Sequence, residues 1–228
     1  MYGQPPISAA HERRTVTRAA EAVTLGLGPR LDRNATRELG VFVESDPEPR
    51  VRVAALGALV RAAPRVSARA VWKRATVDRD ASVRRRAAEL APLLDTRATR
   101  TTMVTFVRAL LDDGDALVAE AAAFALGEIA SRAPSDHASS HEAARALTRA
   151  TVDHPDPLVR EAAVAALGAI GAPDSLPAVL AATHDKPAVR RRAVLALAAF
   201  EGPEVEAAIV AALTDTDWQV RQAAEDLS

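Results

Sequence analysis

The chain has 228 residues, of which 49% are hydrophobic, 26% charged and only 3% aromatic, and it has no cysteine. That composition excludes disulfides, thiolate metal sites and a cysteine nucleophile, and leaves small and branched aliphatic side chains to fill any core, which suits closely packed helices. The net charge of −1 hides a gradient: residues 1–110 carry 20 Lys/Arg against 11 Asp/Glu, and residues 111–228 carry 9 against 19. A field so divided steers an acidic partner to one end or a basic one to the other, or records drift along a solvated surface. No apolar run reaches the roughly 18 residues of a membrane span, and Met1-Tyr2-Gly3-Gln4-Pro5-Pro6 lacks the basic-then-apolar pattern of a secretory signal. A cytoplasmic location is expected, and the Ala and Arg content matches a GC-rich bacterial genome.

Residues 1–7 read as a flexible amino-terminal stretch and 8–228 as one repeat array. The first copy is degraded: Thr17-Arg18 with Ala20 and Leu25-Gly26. Fuller copies follow in order, each with an acidic residue, two residues, Val, usually Arg, and then alanines and a leucine. They are Glu48 to Val51-Arg52 with Ala54-Ala55 and Ala58-Leu59; Asp80 to Val83-Arg84 with Ala87 and Leu90; and Asp115 to Val118 with Ala121-Ala122 and Leu126-Gly127. Asp156 to Val159-Arg160 with Ala162-Ala163 and Leu167-Gly168, Val189-Arg190 with Ala193 and Leu197, and Asp217 to Val220-Arg221 with Ala223-Ala224 complete the set. The Val anchors lie 32, 35, 41, 30 and 31 residues apart. A recurring period of this size marks a stack of repeated supersecondary units.

Counted from the Val, apolar residues fall at 0, +3, +4, +7 and +8, one face of an α-helix. The acidic residue at −3 is placed to cap it, and Pro49, Pro157 and Pro187 stand at the first helical position, where a missing N–H costs nothing. Gly127 and Gly168 are expected as left-handed C-caps. A further helix precedes each copy, over 30–44, 66–77, 97–111, 141–152, 173–183 and 203–214. The polar segment 131–140 accounts for the long 41-residue spacing and is expected to be a mobile surface loop.

At these residues the chain resembles HEAT repeats, in particular the short subtype first recognised in phycobilisome bilin lyases. The resemblance covers residues 8–228 and implies an all-α, right-handed α-solenoid of six to seven stacked helical hairpins. It implies little about function, because the subtype occurs in scaffolds, lyase subunits and hydroxylases. In this family the second helices of the hairpins line the concave surface.

Two HEAT-like enzyme families offer a comparison. A HEAT-like iron hydroxylase family uses four symmetric His-Glu pairs as ligands, whereas this chain has His11-Glu12 and His141-Glu142 at non-equivalent repeat positions, so neither a metal nor another cofactor is expected. His137, His154 and His184 share no helix face at ligand spacing. A HEAT-like alkylpurine glycosylase relies on clustered aromatics, but here Trp72 and Trp218 are far apart in the array. No phosphate loop or nucleophile elbow occurs.

The arginines carry the remaining signal. Arg52, Arg84, Arg160, Arg190 and Arg221 at +1 are expected to form an Arg–Asp ladder between repeats, because a planar guanidinium suits bidentate carboxylate pairing. Arg85 and Arg191 at +2, and Arg86 and Arg192 at +3, depart from the pattern and read as candidate partner contacts, with Glu120, Glu161 and Gln222 at +2 in the other copies. Such a mixed-sign face fits a protein or peptide better than a phosphate backbone. The expected function is therefore a non-catalytic scaffold with a protein partner. A nucleic-acid-binding array using the basic amino-terminal half, or a lyase- or hydroxylase-like subunit, is the alternative. The last copy has little polar capping beyond Glu225 and Asp226, as expected where an array self-associates or is a piece of something longer.

Overall fold

The computed structural model describes residues 9–28, 30–133 and 137–228, and side chains from residue 12 onward except 29 and 134–137. The regular structure among the described residues is helical throughout. The helices fall into two compact units, residues 1–94 and 95–228, where the sequence reads as one array.

Unit 1 holds α1 (Ala9–Leu25), α2 (Arg33–Ser45), α3 (Pro49–Ala62), α4 (Arg65–Ala75) and α5 (Ala81–Leu94). Unit 2 holds α6 (Arg100–Ala109), α7 (Ala116–Ser131), α8 (His137–Asp153), α9 (Pro157–Ile170), α10 (Leu176–Ala182), α11 (Pro187–Ala196), α12 (Pro203–Ala212) and α13 (Trp218–Glu225). Within each unit these pair as helical hairpins that stack side by side, so each hairpin buries its apolar face against the next.

The anchors behave as their period dictates. Val51, Val83, Val118, Val159 and Val189 are fully buried, and Val220 is nearly so. Leu56, Leu59 and Trp72 fill unit 1, and the Trp72 indole N–H donates to the Ala87 carbonyl at 2.7 Å, which satisfies its one polar atom inside the core. Leu126, Ile129, Leu147, Leu167 and Leu197 fill unit 2.

Three of the expected caps form fully. Asp115 accepts from the amides of Leu117 and Val118, Asp156 from Leu158 and Asp217 from Gln219. Asp80 likewise accepts from the Ser82 amide at 2.9 Å. Glu48 occupies the same place without a side-chain cap bond, because its longer side chain does not curl back to the first turn.

The ladder is present, and its carboxylates are not the caps. Arg18, Arg52, Arg160 and Arg190 each reach the turn inside the following hairpin, 25 to 28 residues on, while Arg84 and Arg221 donate to the carbonyls of Asp78 and Asp215 in the turns before their own helices. Arg18 Nε lies 2.8 Å from Asp46 Oδ2, and Arg52, Arg160 and Arg190 grip Asp78, Asp185 and Asp215 through Nε and Nη2 at 2.6–2.9 Å. The free edge of each guanidinium folds back onto its own turn: Arg52 Nη1 donates to the Asp46 carbonyl, Arg160 Nη1 to that of His154 and Arg190 Nη1 to that of Asp185. The aspartates in turn accept from backbone amides, as Asp46 does from Glu48 and Asp215 from Asp217. The result is a polar staple between successive hairpins, with rungs at Arg18–Asp46 and Arg52–Asp78 in unit 1 and at Arg160–Asp185 and Arg190–Asp215 in unit 2. It holds the Asp185 and Asp215 carboxyls below their usual range, chiefly through the arginine hydrogen bonds, and raises the partner guanidiniums. Arg18 makes the same rung, which identifies α1 as the second helix of a degraded repeat.

Gly127 and Gly168 are not C-caps. They sit inside α7 and α9, where a Cβ would lie 2.7 Å from the Cβ of Ala166 and Ala196 respectively. Gly26 faces Ala58 in the same manner at 2.5 Å. These glycines let consecutive second helices touch backbone to backbone, and the left-handed C-cap of α9 falls to Gly171 instead, at φ +63°.

Half of the segment expected as a loop over 131–140 belongs to helices. Helix α7 runs through Ser131 and α8 opens at His137. Its serines look polar in sequence yet are used internally: Ser139 is buried, and the Ser140 hydroxyl donates to the carbonyls of Ala130 and Ala133. Residues 134–136 lie outside the described residues.

Candidate partner-binding face

In unit 2 the second helices α7, α9, α11 and α13 pack on one another in sequence, more extensively than the first helices α6, α8 and α10 do. The small-residue seam explains the difference. On the second helices of unit 2, positions −1, +2 and +6 lie off the buried stripe and are exposed or half-buried.

On that face the structure brings Glu161, Arg191 and Arg192 together. Arg191 Nη2 and Arg192 Nη2 lie 3.8 and 3.6 Å from the same Glu161 oxygen, Oε1. One carboxylate thus serves two guanidiniums at distances too long for good hydrogen bonds, and the Nε atoms of both arginines are buried without a hydrogen-bond partner. Glu120, on the adjacent α7, is half-buried with no ion pair among the described residues. Gln222 is exposed on α13, its amide donating to Asp226. In unit 1, Arg85 and Arg86 both bond Glu89 of their own helix, at 3.1 and 2.9 Å, and the Arg86 guanidinium overlies Gly57 of α3.

The charged column is flanked by an apolar one that sequence reasoning missed. Phe124 and Leu195 at +6 are 49% and 37% exposed, and Leu117 at −1 is 44% exposed. Between α9 and α11 lies a cleft of about 350 Å³, lined by Ala165, Ala169, Leu195 and Ala199, floored by Gly168 and edged by Arg192. A usable signal existed: +6 lies off the buried stripe, so an apolar residue there needs an explanation other than the core.

The histidine pairs are engaged in other ways. Glu12 takes Arg50 at 2.8 Å and Glu142 takes Arg108 at 3.4 Å, while the His11 side chain lies outside the described residues. Among the described residues no three His, Asp or Glu side chains are grouped as a metal site, and no helix is long and apolar enough to cross a membrane.

Comparison with known proteins agrees with this geometry. The profile described as HEAT repeats matches residues 103–188 and 180–225. No curated protein matches the chain. Among solved structures the chain is similar to YibA of Escherichia coli (16% identity over 98% of this chain and 75% of that one, TM-score 0.61). It is also similar to the CpcE–CpcF complex of phycocyanin lyase from Nostoc sp. PCC7120 (23%, 87% and 76%, TM-score 0.55). A third is a designed armadillo-repeat protein in complex with the peptide (KR)4 (17%, 90% and 95%, TM-score 0.51).

Proposed function

The chain belongs to the HEAT-repeat family, and we propose that it is a non-catalytic scaffold or adaptor that holds a protein or peptide partner along the inner face of its second helices. The observation that carries this reading is the Glu161–Arg191–Arg192 cluster beside the apolar cleft between α9 and α11. Two guanidiniums share one loosely held carboxylate, so a partner's acidic side chain would complete their hydrogen bonds, and a small apolar side chain next to it would enter the cleft. Glu120 and Gln222 extend the same face, with Arg85 and Arg86 as the corresponding spot on unit 1. Stacks of similar architecture occur in complexes: CpcE with CpcF, and the designed armadillo protein with the peptide (KR)4. The arginines here favour the opposite sign at this position. The exposed Trp218, 64% accessible, supports self-association through α13.

The nucleic-acid alternative is less well supported because many arginines of the basic half already face carboxylates. Arg18, Arg50, Arg52, Arg74, Arg85 and Arg86 are all paired. The test is a pull-down from native lysate, with and without nuclease, using the wild-type chain and a variant carrying Glu120→Ala, Glu161→Ala, Arg191→Ala and Arg192→Ala. A near-stoichiometric protein that survives nuclease and is lost with the variant supports the proposal. Partners that vanish with nuclease, or that the variant retains, would sink it.

A further inference from the structure

The opposite layer of unit 2 carries a second feature that the inner face does not use. Helix α8 places His141, Arg145 and Arg149 at i, i+4 and i+8, so all three project from one side of the helix. All three are exposed, and neither arginine has an ion pair among the described residues. They line a cleft of about 430 Å³ against α6, together with Arg108 and Glu142. Glu142 is the one carboxylate in this lining. Its Oε1 lies 3.4 Å from Arg108 Nε, a buried donor for which this ion pair is too poorly aligned to be a hydrogen bond. Asp153, one turn beyond Arg149, lies outside this lining, although Arg149 also lines neighbouring clefts with Asp112, Asp153 and Asp174. Three guanidiniums therefore face one carboxylate, in a unit that carries 12 Lys/Arg against 20 Asp/Glu. A concentration of positive charge against the sign of its unit, in a concave site and with a donor already desolvated, is a built anion receptor rather than a share of a general basic surface.

We infer that this cleft binds a phosphate monoester. Guanidinium forks match the oxygens of a dianionic phosphate, which carries more charge and one more acceptor oxygen than a carboxylate. At about 430 Å³ the cleft has room for a phosphate with a small attached group. The phosphate comes either from a free small molecule or from a phosphorylated side chain of a protein, and the chemistry of recognition is the same.

The experiment is calorimetric titration of the full chain with inorganic phosphate, phosphoserine and a phosphoserine-containing peptide at constant ionic strength, repeated on Arg145→Gln/Arg149→Gln. Both positions are exposed, so the variant keeps its circular dichroism and melting temperature, and Arg108→Gln supplies an independent second variant. Saturable binding of phosphoserine that weakens at least tenfold in both variants supports the site. Equal affinity for phosphoserine and the peptide then assigns a small-molecule source, and tenfold tighter peptide binding assigns a phosphoprotein. Absent saturation, affinity indifferent to the substitutions, or tighter arginine-dependent binding of a DNA duplex would each overturn it. None of these outcomes depends on the inner face, because Glu161, Arg191 and Arg192 are untouched.

Discussion

Ala119 and His154 stand at the two positions that elsewhere in the stack hold the arginine and the aspartate of a rung. Ala119 follows the Val118 anchor as Arg160 follows Val159, and His154 precedes Val159 by five residues, as Asp78 does Val83. His154 keeps half of the aspartate's work, since its Nδ1 accepts from the Asp156 amide at 3.1 Å where Asp78 accepts from Asp80 and Asp215 from Asp217. Both members of the rung are therefore missing together, and a cleft of about 600 Å³ lined by Asp113, Gly114, Ala116, His154 and Asp156 lies at the turn. Restoring only one member would be costly. Ala119 is fully buried, so Ala119→Arg alone brings an unpaired guanidinium out of water. Ala119→Arg with His154→Asp should recover the loss, with a coupling of about 1–3 kcal/mol in a denaturation double-mutant cycle. Additive effects would show that the rung geometry does not extend to this joint.

The glycine seam makes a prediction that opposes helix propensity. Ala is the better helix former by about 1 kcal/mol, yet Gly127→Ala and Gly168→Ala should destabilise by about 1–3 kcal/mol in urea unfolding. The added methyl would meet Ala166 or Ala196 at 2.7 Å, with backbone directly behind it. Gly114→Ala is the control, since nothing lies within 4 Å of its Cβ position, and it should be neutral. Ala163→Arg, at a fully buried seam position, should be worse than either glycine change.

The fold was legible because one stripe of apolar residues and one cap recur at a fixed period, and each carries a local physical meaning. What escaped the sequence involved partners in other repeats. Gly127 at the end of a motif looks like a C-cap until Ala166 of the next helix is seen against it. The repeat marks Arg160 as a ladder residue, but nothing local distinguishes Asp185, its partner 25 residues on, from the nearer cap Asp156. The site was half legible for the same reason. Glu161, Arg191 and Arg192 stood out as departures from the repeat, whereas the adjoining cleft exists only between two packed helices.

Acid should weaken the staple of unit 2. Asp185 and Asp215 have carboxyls held below their ordinary value by Arg160 and Arg190, so the native state favours their charged forms more than the unfolded chain does. Their contribution is complete above the unfolded aspartate value, about pH 4, and is lost as pH falls below it through the native values. Chemical-denaturation stability should therefore decline on acidification below about pH 4, and the decline should be shallower in Asp185→Asn/Asp215→Asn. An identical pH profile in that variant would assign the acid sensitivity to other carboxylates.

Burial decides which ion pairs matter most. The Arg52 side chain is 2% exposed and that of its partner Asp78 13%, whereas Arg74 and Glu44, in the same unit, are 62% and 38% exposed. Asp78→Ala strands a guanidinium that water cannot reach and removes the acceptor that holds the Asp80 amide, so a loss of about 3 kcal/mol is expected. Glu44→Ala releases Arg74 into solvent and should cost less than about 1 kcal/mol. The comparison is best made by equilibrium unfolding in low and high salt. Salt should erase what little the exposed pair contributes and leave the Asp78 effect nearly unchanged, because the buried rung lies beyond the reach of ionic screening. Equal costs for the two substitutions would mean that the rungs are surface decoration, and that the apolar seam alone sets the register of the hairpins.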